Sequence, residues 1–254
     1  MNNLINQFKS NEKNILYKDR FNLVEIENLV DSENFEKLQS RFPNEKYFSA
    51  HNDFAMSFSD ENEKFKIFLD ENRDWEIFIS KLKDKEFVNY LLKFFRIKNV
   101  YYDNNWKKFL PLHKKVKLSF CFNISKKGGF SLPHTDSSRK LISLVLFFVD
   151  NSWSIENGGQ INLYKPLDSK YEDNWRNKRI EKDNLTILKT IIPIKNKIYG
   201  FKKTKNSYHS VEPVLGINSL LRKVFMINLI YENESDAPYN QVSFFKKINS
   251  KIFK

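Results

Sequence analysis

The chain has 254 residues, of which 41% are hydrophobic and 15% aromatic, and its formal net charge is +12. This composition is sufficient for a sizeable core, and no run approaches the roughly 18 consecutive apolar residues of a membrane-spanning helix. The single cysteine, Cys121, excludes an internal disulfide, and the first residues lack the apolar core of a signal peptide. We therefore expect a cytoplasmic protein.

The positive charge predicts attraction to anions. However, the lysines are spread along the whole chain rather than gathered in one stripe, which argues against a nucleic-acid-binding surface. We expect a small-molecule or peptide substrate, which the charge allows to be anionic. Neither the identity of that substrate nor the oligomeric state follows from the sequence.

Glycine is unevenly distributed, because all six glycines lie between Gly128 and Gly216. Glycine marks turns in strand-rich structure, so its absence from the first half predicts helices there. We expect one domain over residues 1–254. It comprises a helical support region at 1–114, a strand-rich core at 115–232 and a basic tail at 233–254.

Three helices are predicted in the first half from apolar residues at helical spacing. Asp31 can cap the first and Asp84 the last, because short polar side chains accept hydrogen bonds from the free N–H groups of a first turn. The apolar positions are Phe35, Leu38 and Phe42; Trp75, Phe78 and Leu82; and Phe87, Leu91 and Phe94. We expect these faces to pack on the outside of a sheet.

Apolar and β-branched runs alternate with turns in the second half, as in a β-rich domain. The runs span residues 117–124, 141–149, 160–164, 197–201, 208–214 and 222–231. Residues 165–190 are polar without a clean period. We interpret them as an insertion, and as a candidate lid with Trp175 and Arg176 near its middle.

The most informative motif is Pro133-His134-Thr135-Asp136. In a strand, side chains two residues apart leave the same face, so His134 and Asp136 would share one space. A second imidazole from another strand would complete two histidines and one carboxylate, which is the usual ligand set of non-heme iron(II) oxygenases. His209 is placed on a later strand and can supply it.

The order of these features over about residues 115–232 resembles the iron(II)/2-oxoglutarate-dependent oxygenase superfamily, in particular its prolyl-hydroxylase-like branch. The resemblance implies a mainly β fold with N-terminal helices (α+β) and a double-stranded β-helix core, which is jelly-roll or cupin-like. It also implies Fe(II), 2-oxoglutarate and O2 as cofactor and co-substrates, with His134, Asp136 and His209 as catalytic metal ligands. The expected reaction hydroxylates an unactivated C–H bond and releases succinate and CO2.

Arg222 begins an otherwise largely apolar strand, at the place where the family binds the far carboxylate of 2-oxoglutarate. A guanidinium donates two parallel hydrogen bonds to a carboxylate. Val224 stands where relatives often have a Ser or Thr that helps, so a second donor must come from elsewhere. Asn123 and Asn228 are candidates for co-substrate binding. A structural salt bridge is the alternative explanation of Arg222.

Two other classes of function stay open. A cupin-type metal-binding protein with a different reaction usually carries His-x-His and a Glu, whereas this chain has His-x-Asp. A non-catalytic binding module would keep the fold but not need every ligand residue. A nucleic-acid demethylase would carry a second Arg six residues after the first, where Asn228 stands.

Overall fold

The computed structural model describes residues 2–11, 16, 22–52, 54–103, 113–172, 174, 179–217 and 220–238. Its helices are α1 (Asn2–Ser10), α2 (Ser32–Ser40), α3 (Lys64–Glu71), α4 (Arg73–Leu82) and α5 (Lys85–Phe94). Its strands are β1 (Val24–Ile26), β2 (Ser49–Asn52), β3 (Ala55–Ser59), β4 (Val100–Tyr101), β5 (Lys114–Ser125), β6 (Ser131–His134), β7 (Lys140–Phe147), β8 (Ile161–Pro166), β9 (Leu185–Ile191), β10 (Ile198–Lys202), β11 (His209–Val211) and β12 (Arg222–Tyr231).

The predicted helix caps are confirmed. The Asp31 side chain accepts a hydrogen bond from the Asn34 backbone N–H at the start of α2. The Asp84 side chain accepts from the backbone N–H groups of Glu86 and Phe87 at the start of α5. Each cap satisfies backbone donors that have no partner within the helix. The sequence did not anticipate the four short strands β1 to β4 that lie among the helices.

The larger sheet has the order β1-β10-β7-β12-β5-β3-β2, with β4 paired to β5 off this path. Its outer face packs on the helices, as predicted. Trp75 of α4 lies edge-on to Phe122 of β5, with ring centroids 4.6 Å apart, and 5.1 Å from Phe225 of β12. Phe78 and Leu91 join the same buried cluster. This apolar layer holds one face of β5 and β12 in place and leaves the other face free to form a site.

The smaller sheet has the order β6-β11-β8-β9, and its strands pair antiparallel. It faces the larger sheet across a second apolar cluster that includes Phe147, Trp153, Ile161 and Val224. Two facing antiparallel sheets form a double-stranded β-helix, so the predicted fold class is confirmed. The cluster lies beside the cavity between the sheets.

The interpretation of residues 165–190 as an irregular insertion is wrong for its last part. Leu185–Ile191 forms β9, the edge strand of the smaller sheet. All five side chains from Thr186 to Thr190 are partly or fully exposed, without the alternation of a regular strand. This edge strand is bulged against β8 and has no regular inner face. Only the stretch between β8 and β9 is a loop.

Trp175 and Arg176 of the candidate lid lie outside the described residues, as does most of the basic tail at 233–254. In the described part of the chain, no helix is long and apolar enough to cross a membrane.

Candidate metal and co-substrate site

Two histidines face each other across neighbouring strands of the smaller sheet. His134 is the last residue of β6 and His209 the first residue of β11, and their Cα atoms are register partners. Directly opposed residues of an antiparallel pair bring their side chains together. The two imidazole centroids are accordingly 4.4 Å apart.

Asp136 reaches the same point from outside a strand. The prediction placed His134-Thr135-Asp136 within one strand, but β6 ends at His134. The alternation nevertheless continues for two residues, because the buried Thr135 turns the opposite way and its Oγ1 donates to the Asn174 carbonyl oxygen at 2.7 Å. The loop that follows β6 is thereby fixed, and Asp136 joins the two histidines.

The three residues can each offer one ligand atom, and these atoms lie within 4.8 Å of one another. In both histidines Nδ1 lies beside a backbone carbonyl oxygen, that of Leu132 at 2.8 Å for His134 and that of Ser207 at 3.1 Å for His209. A carbonyl can only accept a hydrogen bond, so Nδ1 carries the proton. The Nε2 lone pair is then available to a metal.

The electrostatics keep His209 and Asp136 in their metal-binding forms. Burial, with a smaller contribution from the neighbouring His134, lowers the pKa of His209 to about 4, so the ring is neutral at physiological pH. Burial acts to raise the pKa of Asp136, but the charge and hydrogen bond of Lys140 together with the two histidines outweigh it, and the pKa of the carboxyl lies well below its usual range. Asp136 is therefore a carboxylate.

Both oxygens of the Asp136 carboxylate have a partner. Lys140 Nζ donates to Oδ1 at 2.8 Å and Ser143 Oγ donates to Oδ2 at 2.7 Å. Such hydrogen bonds fix the orientation of a ligating carboxylate, and each oxygen keeps a further lone pair for a metal.

The cavity at these ligands has a volume of about 330 Å³ and extends between the two sheets. One face of β12 lines it with Arg222, Val224, Met226 and Asn228, as the alternation of the strand predicted. The opposite face of β12 packs on the helices.

Arg222 is the buried cation of the cavity, with only 4% of its surface exposed. Its Nε donates to the Gly159 carbonyl oxygen at 2.7 Å, and its guanidinium lies 5.4 Å from the centroid of the Phe147 ring. Burial lowers the pKa of Arg222 to about 10, and no carboxylate among the described residues acts to restore it. The structural salt bridge considered from the sequence is thus not formed in this part of the chain. A buried cation without an acidic partner is suited to bind an anion.

The glycine pair before β8 makes room for Arg222. Gly159 has φ +67°, and a Cβ there would lie 2.7 Å from Arg222 Cδ. Gly158 also has φ +67°, and a Cβ there would lie 2.0 Å from the carbonyl oxygen of Pro213. Only glycine accepts this backbone and this approach. From the sequence, these glycines were predicted only to mark a turn. Their role in positioning Arg222 was not predicted.

Tyr199 of β10 is a further residue of the cavity that the sequence did not identify. Its ring stacks on Phe147, with the centroids 5.8 Å apart, beside the Arg222 guanidinium. Burial raises the pKa of the Tyr199 hydroxyl above its usual value, so the group remains a hydrogen-bond donor. The only sequence signal was its position next to Gly200 in a short apolar run.

Asn123 and Asn228 both line the cavity but lie at different ends of it. Asn123 of β5 pairs with Val224, two residues from Arg222. Asn228 pairs with Ser143, the residue that binds Asp136, and lies six strand residues from Arg222, or roughly 20 Å along the backbone. The position of Asn123 suits the predicted co-substrate role. Asn228 lies instead beside the metal ligands.

Comparison with known proteins agrees with this geometry. Residues 120–223 match the model of a family described as the 2OG-Fe(II) oxygenase superfamily. Over this span, about two fifths of the chain, the sequence is similar to that superfamily. The match contains the metal-ligand candidates and Arg222, and the predicted family, enzyme class and requirement for Fe(II), 2-oxoglutarate and O2 are confirmed. No curated protein is similar enough in sequence to match.

Solved structures show the same fold at low identity. A prolyl 4-hydroxylase from Phytophthora capsici has a TM-score of 0.57 and 14% identity, over 94% of this chain and 67% of the other. HygX from Streptomyces hygroscopicus, solved with nickel and 2-oxoglutarate bound, has a TM-score of 0.52 and 11% identity, over 87% of each chain. The alpha-ketoglutarate-dependent epimerase SnoN of nogalamycin biosynthesis has a TM-score of 0.54 and 8% identity, over 87% of this chain and 80% of the other.

The described residues fit the cofactors of the superfamily. Two neutral imidazoles and one carboxylate with open positions beside them suit iron(II). The unpaired guanidinium of Arg222 suits a carboxylate of 2-oxoglutarate at the other end of the same cavity.

Proposed function

We propose that this oxygenase hydroxylates an unactivated C–H bond of a small-molecule or peptide substrate and releases succinate and CO2. The observation that carries the proposal is Arg222. A buried arginine without a carboxylate partner among the described residues shares one cavity with two histidines and an aspartate of metal-ligand geometry. That pairing suits a dicarboxylate co-substrate that bridges the metal and the arginine.

In this proposal His134, Asp136 and His209 hold iron(II). Arg222 binds the far carboxylate of 2-oxoglutarate, and Tyr199 supplies the second donor that Val224 cannot. Iron(II), 2-oxoglutarate and O2 supply, when bound, the oxidising power that the side chains lack.

The protein itself contributes orientation and the exclusion of water. Trp153 and Phe147 belong to the apolar cluster beside the Arg222 end of the cavity, and Trp153 Nε1 donates to the Gly158 carbonyl oxygen at 3.2 Å. An apolar wall strengthens the attraction between the guanidinium and a bound carboxylate. Phe130 also lines the cavity, with 57% of its surface exposed, and we place the substrate entrance there.

Nickel-loaded protein tests the proposal without turnover. We expect 2-oxoglutarate to raise its melting temperature, because a ligand that binds only the folded state stabilises it. Arg222→Leu should retain nickel and lose most of this stabilisation. Arg139→Leu is the matched control, because Arg139 donates only to the carbonyl oxygens of Tyr231 and Glu232 among its described contacts and does not line the cavity.

Equal stabilisation of wild type and Arg222→Leu would show that the co-substrate anchor lies elsewhere. Nickel binding with no response to 2-oxoglutarate in the wild type would favour the cupin-type alternative. Iron-loaded protein should form succinate from 2-oxoglutarate, and His134→Ala should abolish it. The free Cys121 is consistent with the predicted location in a reducing cytoplasm, where iron(II) persists.

A further inference from the structure

Lys140 places a positive charge beside the metal ligands. It is the first residue of β7, it lines the cavity, and 25% of its side chain is exposed. Its ammonium group donates one hydrogen bond, to Asp136, among the described residues. A lysine ammonium has three N–H donors, so two remain that can point into the cavity.

The charges of the loaded cavity do not cancel. Asp136 is the only carboxylate among the described residues that line it, while Lys140 and Arg222 are cations and both histidines are held neutral as ligands. Iron(II) offsets the dianion of 2-oxoglutarate, and Asp136 offsets one of the two cations. One positive charge is left over, at the end of the cavity that holds Lys140. An uncompensated charge in a confined cavity favours a ligand of opposite sign.

Asn228 marks the same end independently. Only 6% of its surface is exposed, it lines the cavity, and its Oδ1 has no hydrogen-bond partner among the described residues. It lies on β12 opposite Ser143, and Ile230 two residues on is the register partner of Lys140. A buried amide without a partner costs free energy unless a ligand binds it.

We propose that Lys140 and Asn228 form the substrate subsite and that the substrate carries an anionic group, a carboxylate or a phosphate or sulfate ester. This inference rests on the proposed function and names the substrate class of the same site. Lys140 forms the ion pair with that group, and Asn228 Oδ1 accepts a hydrogen bond from an O–H or N–H group of the substrate beside it. Because Lys140 also contacts Asp136, the oxidised carbon lies close to the anionic group.

The competing explanation is that Lys140 only orients Asp136. Ser143 already holds the other carboxylate oxygen. A lysine ammonium beside the metal also repels the metal ion and thereby opposes metal binding. Binding a second anion, in contrast, is favoured by the same positive charge. The two explanations predict opposite effects of removing the lysine.

Sulfate and acetate serve as probes on nickel-loaded protein saturated with 2-oxoglutarate, at constant ionic strength. We expect both or either to raise the melting temperature, with sulfate indicating an ester and acetate a carboxylate. Lys140→Met, compared with wild type at saturating nickel, should weaken binding of the effective probe at least tenfold, and Lys140→Arg should restore it. Lys93→Met, on the exposed face of α5, is the control for net charge.

The proposal is overturned if neither probe acts on wild type, if Lys140→Met responds equally, or if that variant loses nickel, which would assign Lys140 to orienting Asp136. Lys140→Gln replaces the methionine variant if the latter does not fold. Failure of the proposed function is detected in a separate measurement. In that case 2-oxoglutarate does not raise the melting temperature of nickel-loaded protein before any probe is added.

Discussion

At the scale of single residues, the absence of a side chain at Gly159 matters as much as any side chain in the cavity. Its carbonyl oxygen accepts the Arg222 Nε hydrogen bond, and its α-carbon lies where a methyl group would displace the arginine. The turn at Gly159, which is distant in sequence, therefore sets the orientation of the Arg222 side chain.

We predict that Gly159→Ala weakens 2-oxoglutarate binding by at least tenfold. The added Cβ meets Arg222 Cδ, and the positive φ costs an alanine about 1–2 kcal/mol in addition. Titration of nickel-loaded protein with 2-oxoglutarate measures the affinity. Gly216→Ala is the matched control, because Gly216 also has a positive φ, of +88°, but among the described residues its Cβ would meet only Asn157 and Leu220. Equal loss in both variants would show a general effect of strain.

We predict that Tyr199→Phe weakens 2-oxoglutarate binding by about 1 kcal/mol, or roughly fivefold, because one hydrogen bond is lost. The aromatic stack on Phe147 is kept, so the melting temperature without ligand should change little. Tyr164→Phe is the control, since its buried hydroxyl bonds Ser210 and Tyr164 does not line the cavity. An unchanged affinity in Tyr199→Phe would leave the second donor to Asn123 or another group.

The sequence identified the residues whose chemistry is rare, and it missed those whose role depends on neighbouring strands. His134, Asp136, His209 and Arg222 stood out by residue type and order, and the structure brings all four to one cavity. Tyr199 could not be found, because its neighbour Phe147 follows from strand pairing and not from spacing.

At the scale of elements, the stretch between β8 and β9 is hydrogen-bonded to the segments that flank the metal ligands. Three hydrogen bonds make the connection: Thr135 Oγ1 to the Asn174 carbonyl, Tyr208 Oη to the Tyr171 carbonyl, and the Ile180 N–H to the Pro133 carbonyl. The described ends of the candidate lid thus contact the segments beside the metal ligands, at Pro133, Thr135 and Tyr208. Whether its centre closes over substrate stays a prediction.

We predict that Thr135→Val lowers the free energy of unfolding by about 1–3 kcal/mol, because it removes the buried donor to the Asn174 carbonyl without changing the volume. Nickel affinity should also fall, since Thr135 lies between two ligands. Urea unfolding and nickel titration measure the two effects. Thr190→Val removes a similar bond, from Oγ1 to Asn162 Oδ1, on β9, and should leave nickel affinity unchanged. A normal nickel affinity in Thr135→Val would mean that the loop is held by its other contacts.

Elements with a strong local pattern were predictable, and edge elements were not. The strand 222–231 was predicted with the bounds that β12 has, because it is apolar on both faces and starts after a turn. Strand β9 was missed because an edge strand exposes much of its surface and loses its period. The short strands β1 to β4 are formed by pairing with the core and carry little signal of their own.

At the scale of the whole molecule, the larger sheet separates a helical apolar layer from the cavity. The alternating side chains of β5 show this division. Phe120 and Phe122 pack in the helical cluster, while Asn123 faces the cavity. Cys121 has the parity of Asn123 and therefore lies on the cavity side of the sheet, away from the helices.

The position of Cys121 makes it a reporter of the fold. Burial raises the pKa of its thiol to about 11. Only the thiolate reacts with iodoacetamide, so at pH 8 roughly one thiol in a thousand is reactive, against about a quarter for an ordinary thiol. We predict that native protein is alkylated about two orders of magnitude more slowly than protein in denaturant, and that the native rate rises nearly tenfold per pH unit towards pH 11. Mass spectrometry of timed samples measures both rates. Equal rates at pH 8 would show that the strand opens readily and that the sheet does not shield its cavity face.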